Sequence, residues 1–132
     1  MRPTPGNRVL DIGCGPGNMV RYLPNTNYVG FDSDAAYIAA ARSHFGNRAS
    51  FICATVGSFV LDADQKSSFD LALAFGVLHH LDDDEALRLF RLASSALKPG
   101  GRLITLDGCY EKSQSRVARS LLSWDRGRHV RD

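Results

Sequence analysis

Five short apolar runs punctuate an otherwise mixed chain: Arg8–Ile12, Tyr28–Phe31, Ser50–Ala54, Asp70–Phe75 and Arg102–Asp107. Several are apolar almost throughout, which is the pattern of strands buried on both faces rather than on one. Helical signals fall between them. Asn18–Leu23 follows a glycine-rich turn. Ala35–His44 starts after Asp34, a side chain suited to cap it, and Gly46 ends it. A third helix opens at Asp82, with Glu85 three residues on and acids in its first turn, as the helix dipole favours. Its apolar positions Leu87, Phe90, Ala93 and Leu97 recur at helical spacing, and Lys98-Pro99-Gly100-Gly101 stops it. Over 57–68 the pattern is weaker, and Val60 and Leu61 are assigned to a short helix.

Repeated strand–helix–strand units predict an α/β fold of parallel strands, joined by right-handed crossovers with helices on both faces. Ligands of such sheets bind beyond the carboxyl ends of the strands, where the strand order reverses. VLDIGCGPGN, GFDSD and LAFGVLHH all fall at such ends.

Composition narrows the class. A length of 132 residues suits one domain, with its core over residues 8–110. Hydrophobic residues at 44% and charged residues at 23% mark an ordinary globular chain rather than a disordered one. A net charge of +2 makes no case for a nucleic-acid partner. No apolar stretch approaches the ~20 residues of a membrane span, and the N-terminus lacks the apolar region of an export signal. Cys14, Cys53 and Cys109 are widely spaced with no paired motif, so free, buried thiols and a cytoplasmic setting are expected.

The glycine loop carries the most chemistry. A dinucleotide fingerprint, G-x-G-x-x-G, would place its third glycine at residue 18, which is Asn18. The loop instead reads Gly13-x-Gly15-x-Gly17, stiffened by Pro16 and preceded by Asp11. A carboxylate is unfavourable beside a pyrophosphate and favourable beside an ammonium or sulfonium. No Lys-Ser/Thr follows the loop, so a P-loop is excluded. Asp32, at the end of the second strand, is placed to accept from both hydroxyls of a ribose.

VLDIGCGPGN, VGFDSD, FDLALAFGVLHHLDD and LKPGGRLITLD together resemble the successive motifs of the class I S-adenosylmethionine-dependent methyltransferases. The resemblance covers roughly residues 8–110 and implies a Rossmann-like open sheet of about five mostly parallel strands, lacking the usual last two. It implies S-adenosylmethionine (SAM) as cofactor, S-adenosylhomocysteine as product and a small-molecule methyl acceptor. By resemblance, the backbone of Gly13, Cys14, Gly15 and Gly17 lines the methionyl part, and Asp11 reaches its ammonium through water. Asp32 then holds the ribose and Ser33 lies beside the adenine. Family members commonly carry an aspartate after the third strand to meet the adenine amine; here Thr55 and Val56 stand there. Phe75 would offer its carbonyl to the ammonium.

His79 and His80 follow the fourth strand, near where the methyl group is expected. Either could act as general base toward an acceptor hydroxyl, or could simply pack and bond a loop carbonyl. Cys109 and Tyr110 are expected beside the acceptor. Asp82, Asp83 and Asp84 read as a solvated helix start, and no metal site is expected. The basic tail has Val117, Leu121 and Trp124 at helical spacing, predicting a helix over about 114–124.

The chain reads as short at both ends for this family: either a piece of a longer protein, or a minimal member that closes its site by dimerising through an exposed fifth-strand edge. Two other readings stand beside methyl transfer, an NAD-type oxidoreductase and a non-catalytic SAM-binding module.

Overall fold

The computed structural model describes residues 3–108. Among these, five strands form one parallel sheet: β1 (Arg8–Ile12), β2 (Asn27–Asp32), β3 (Ala49–Cys53), β4 (Phe69–Phe75) and β5 (Leu97–Leu106). Their order is β3-β2-β1-β4-β5 and every pairing is parallel. The chain therefore winds outward from β1 in one direction, then returns to lay β4 on its other side. The Rossmann-like fold is the one anticipated, and its strand order reverses between β1 and β4.

Two helices flank the sheet: α1 (Ala35–Phe45) and α2 (Asp83–Ala96). On the α1 face, Val9, Tyr28, Phe51 and Leu73 pack against Val20, Leu23, Ile38, Ala41 and Phe45. On the α2 face, Leu10, Ile12, Phe31, Ala72 and Ala74 pack against Phe59, Leu61, Leu89, Ala93 and Ala96. Phe31 and Phe59 stack with ring centroids 4.2 Å apart, which anchors the connection between β3 and β4 to the core. Burying a side chain of this kind contributes roughly 1.5–3 kcal/mol.

Several expectations from the pattern need correcting. Asn18–Tyr22 is a tight 3₁₀ turn rather than a regular helix, since the chain must reach β2 within a few residues. The segment around Val60 and Leu61 is not helical; Leu61 is buried while Val60 is exposed. On α2 the inward positions are Leu89, Ala93 and Ala96, whereas Leu87 and Phe90 are exposed. Ala96 and Leu89 are seven residues apart, and Ala93 lies between them on the same stripe. β5 begins at Leu97, which pairs with Phe69, and the Lys98–Gly101 stretch bulges out before Arg102 resumes the register opposite Leu71. Cys14 is buried as expected, but Cys53 is exposed. Cys109, Tyr110 and the basic tail lie outside the described residues.

Asp70 and the helix caps serve the frame. Asp70 accepts from the Arg8 amide and from Lys98 Nζ, both at 2.8 Å, tying β1 and the start of β5 to β4. The Lys98 hydrogen bond, then that of Arg8, holds its carboxyl below the ordinary range. Asp34 accepts from the amides of Ala36 and Tyr37. Asp82 and Glu85 form a reciprocal capping box on α2. No helix of the described residues is long and apolar enough to cross a membrane. Replacing Asp82 by Ala should lower stability by ~1 kcal/mol and by Asn only slightly, as read from urea midpoints.

Candidate functional site

The carboxyl ends of β1, β2, β3 and β4 surround a cleft of about 850 Å³. It lies at the reversal of strand order, where an open α/β sheet leaves room for a ligand. Its floor is the glycine loop. Gly13 takes φ +72°, and a Cβ there would collide with the Val77 side chain, so only glycine lets the β1 and β4 loops approach. Gly17, at φ +77°, faces the Phe51 ring and Ala41 in the same way.

The hydrogen bonds of this loop decide what it can hold. The amides of Gly13 and Cys14 both donate to the Phe31 carbonyl, at 2.9 and 3.0 Å. The Gly15 amide donates to Asp32 Oδ2 at 2.9 Å, and the Gly17 amide donates to the Cys14 carbonyl at 3.0 Å. Pro16 has no amide proton to give. Every backbone donor from residue 13 to residue 17 is thus committed within the chain. A pyrophosphate site requires such donors aimed outward.

The charges point the same way. Asp32, Asp34 and Glu85 line the cleft, and no lysine or arginine stands among its described lining residues. Asp32 is half-buried; besides Gly15 it accepts from the Asp34 amide at 2.9 Å through its other oxygen. A carboxylate offers about four acceptor directions, so each oxygen retains one for a ligand hydroxyl.

Of the residues expected from the sequence, Gly13, Gly15, Asp32, Ser33, Thr55, Val56 and His80 meet at the cleft. The Thr55 hydroxyl and the Ser58 hydroxyl bond each other at 3.1 Å, closing the turn after β3. Asp11, Cys14, Gly17, Phe75 and His79 are not among the residues that line the cleft. Cys14 packs tightly on Gly30, and burial pushes its thiol up to about 12, with Asp11 and Asp32 adding to the effect. His79 is buried, its ring Nδ1 2.9 Å from Asp107 Oδ1. Tyr37, Val77, Leu81 and Glu85 join the lining without having been singled out. Tyr37 and Glu85 sit in the first turns of helices that follow strand ends, a position that could have drawn attention to them.

Asp11 is the least conventional group. It is 2% exposed and accepts a hydrogen bond from the Tyr28 hydroxyl, in the layer between the sheet and α1. Burial raises its carboxyl to about 7 against the pull of the Tyr28 bond, with Asp32 adding a smaller upward push. Burial likewise drives the Tyr28 hydroxyl upward.

The chain matches the methyltransferase domain family over residues 10–103, and it belongs to that family. It is 36% identical over 104 residues to the ubiquinone biosynthesis O-methyltransferase of Bradyrhizobium sp. (strain ORS 278), covering 75% of this chain and 39% of the relative. It is 35% identical over 121 residues to the trans-aconitate 2-methyltransferase of Variovorax paradoxus (strain S110), covering 86% of this chain and 44% of the relative. It thus spans about two fifths of these relatives' length. The crystal structure of an S-adenosylmethionine-dependent methyltransferase from Mesorhizobium loti superposes with a TM-score of 0.68 at 30% identity, over 80% of this chain and 48% of that one.

The raised carboxyl of Asp11 has a measurable consequence. Its folded value of about 7 lies above the ordinary 3.8, so folding takes up a proton between them. The stability this group contributes is complete below about pH 4 and is lost as pH rises through about 7. Urea midpoints should fall across that interval, and Asp11→Asn, which can still accept from Tyr28, should flatten the fall.

Proposed function

We propose that this chain binds SAM in the cleft and transfers its methyl group to a small-molecule acceptor. The observation that carries the reading is the commitment of every loop amide from Gly13 to Gly17, combined with an acidic lining. Such a site repels a diphosphate and suits a cationic nucleoside. A cleft of about 850 Å³ falls within the range of small-molecule sites. SAM fits this set of acceptors, and when bound it would supply an electrophilic methyl on a sulfonium whose sulfur leaves as a neutral thioether.

The chain's own residues then bind and orient. The backbone of Gly13 and Gly15 on the cleft floor, backed by Cys14 and Gly17, would form the surface for the methionyl part, and the Phe75 carbonyl, next to the lining Gly76, would accept from its ammonium. Asp11 lends negative charge from beneath the loop when ionised. Asp32 accepts from the ribose hydroxyls through its two remaining directions. Ser33, Thr55 and Val56 border the adenine, with the Thr55 oxygen as a polar contact in place of a carboxylate. Alignment of an acceptor lone pair with the methyl carbon is the main catalytic contribution, and positioning of this kind supplies ~7–11 kcal/mol. His80, on the cleft wall, takes the acceptor proton where the acceptor carries one, with His79 behind it.

Calorimetry should detect SAM and S-adenosylhomocysteine binding, and Asp32→Ala should weaken it by ~1.5–3 kcal/mol, the loss of charged hydrogen bonds. Unchanged affinity would place the ribose elsewhere. Nicotinamide dinucleotides outcompeting SAM would move the chain to the oxidoreductases. Cofactor binding without turnover over a broad acceptor panel would leave a binding module.

The cytoplasm is the proposed setting, supported by cysteines without paired spacing. Self-association through β5 completes the proposal. Among the described residues β5 pairs only with β4, and Ile104 and Leu106 on it are 43% and 68% exposed. Light scattering should give a dimer that Leu106→Lys dissociates; a monomer at all concentrations refutes the pairing.

A further inference from the structure

Asp107 follows the last residue of β5, whose carbonyl on Leu106 accepts from the Gly76 amide at 2.7 Å. Its Oδ1 meets His79 twice, 2.9 Å from ring Nδ1 and 3.3 Å from the main-chain amide. His79 is 6% exposed, and the His80 ring packs on its ring with centroids 3.8 Å apart and planes inclined at 53°. His80 in turn lines the cleft. A carboxylate on the edge strand, a buried imidazole and a cleft-wall imidazole therefore form one continuous chain of contacts.

We infer that Asp107 is a positioning residue, which sets the His80 ring at the cleft by fixing the ring of His79 behind it. One carboxylate oxygen holding both the amide and the ring of His79 fixes its backbone and its side-chain torsions together. The bond also selects the tautomer: a carboxylate only accepts, so the proton of a neutral His79 sits on Nδ1. The local backbone contributes the bond from the His80 amide to the Val77 carbonyl at 3.0 Å. His79 and His80 belong to a three-residue 3₁₀ turn, Leu78–His80, with no side-chain cap, entered through Gly76 at φ +67°. A long-range restraint on the His80 wall thus comes from across the β4–β5 register, from a residue 28 positions on.

The function given to His80 rests on the methyl-transfer reading, but the coupling does not, and the test separates them. Nitrogen-15 side-chain spectra of the 132-residue chain in alkaline buffer report the tautomer of each histidine without any ligand. His79 should carry its proton on Nδ1. Asp107→Ala should shift it toward the Nε2 form and displace the His80 ring signals, and Asp107→Asn, whose amide oxygen still accepts, should fall between. Affinity for SAM should stay within about twofold in both variants, as for a site apart from the bound cofactor. With any acceptor that is turned over, kcat should fall about tenfold or more in Asp107→Ala while KM for SAM holds, and Asn should restore part of it.

His80 signals that do not move in folded variants overturn the inference, as does wild-type His79 protonated on Nε2. If Asp107→Ala does not fold, the Asn variant decides on the same signals. A wild-type chain that shows the coupling yet fails to bind SAM defeats the cofactor reading alone.

Discussion

The site depends on one carboxylate that the chain itself uses before any ligand arrives. Asp32 accepts the Gly15 amide with one oxygen and the Asp34 amide with the other, each at 2.9 Å. The first bond pins the glycine loop of β1 to the end of β2. The second sets Asp34, whose own side chain caps α1 through the Ala36 amide at 2.8 Å. Loop, strand end and helix start are thereby locked in one line, and the cleft takes its shape from that line. A residue that only gripped a sugar could be lost with the fold of the cleft intact. Asp32 holds that frame, and on the proposed reading its spare acceptor directions are preoriented for the sugar because the others are filled.

Beneath that line sits an acid whose ionised form the core disfavours. Asp11 is enclosed by the α1-side layer and meets the Tyr28 hydroxyl, where an apolar pair would cost no desolvation. The balance makes physical sense if a cation comes to rest on the loop above it. An ionised Asp11 then has a partner charge, and part of its burial cost is returned through attraction across the glycine backbone. The same field disfavours phosphate, so on the proposed reading the buried acid and the committed amides favour one class of ligand.

How much of this was legible depended on the range of the interactions. Local signals were readable: the apolar runs of β1 to β4, the Asp34 and Asp82 caps, and the positive-φ glycines all act over a few residues. The exact stripe that α2 buries was not. Leu87 and Phe90 share the helical period of Ala93, yet the sheet takes the Leu89–Ala93–Ala96 stripe, and the choice between overlapping stripes is made by the surface they meet. The start of β5 was hidden because Lys98-Pro99-Gly100-Gly101 reads as a stop, whereas the chain bulges there and Leu97 already pairs with Phe69. The sequence also put Asp11 next to the loop in one dimension, while the pleat turns its side chain away from the cleft toward Tyr28. Pairings such as His79 with Asp107 have no local signature at all.

The two halves of the cleft differ in how much chemistry the described residues commit. Toward β1, β2 and β3 the contacts are dense and specific: four satisfied amides, a bridging carboxylate and a closed Thr55–Ser58 turn. Toward β4 and α2 the wall is Val77, His80, Leu81 and Glu85, with Glu85 also engaged in its helix cap. A ubiquinone-pathway O-methyltransferase and a trans-aconitate methyltransferase are similar to this chain at nearly equal identity, although their names imply unlike acceptors. On the proposed reading, acceptor choice belongs to the β4 and β5 ends, where the set of the His80 ring bears on which proton can be reached.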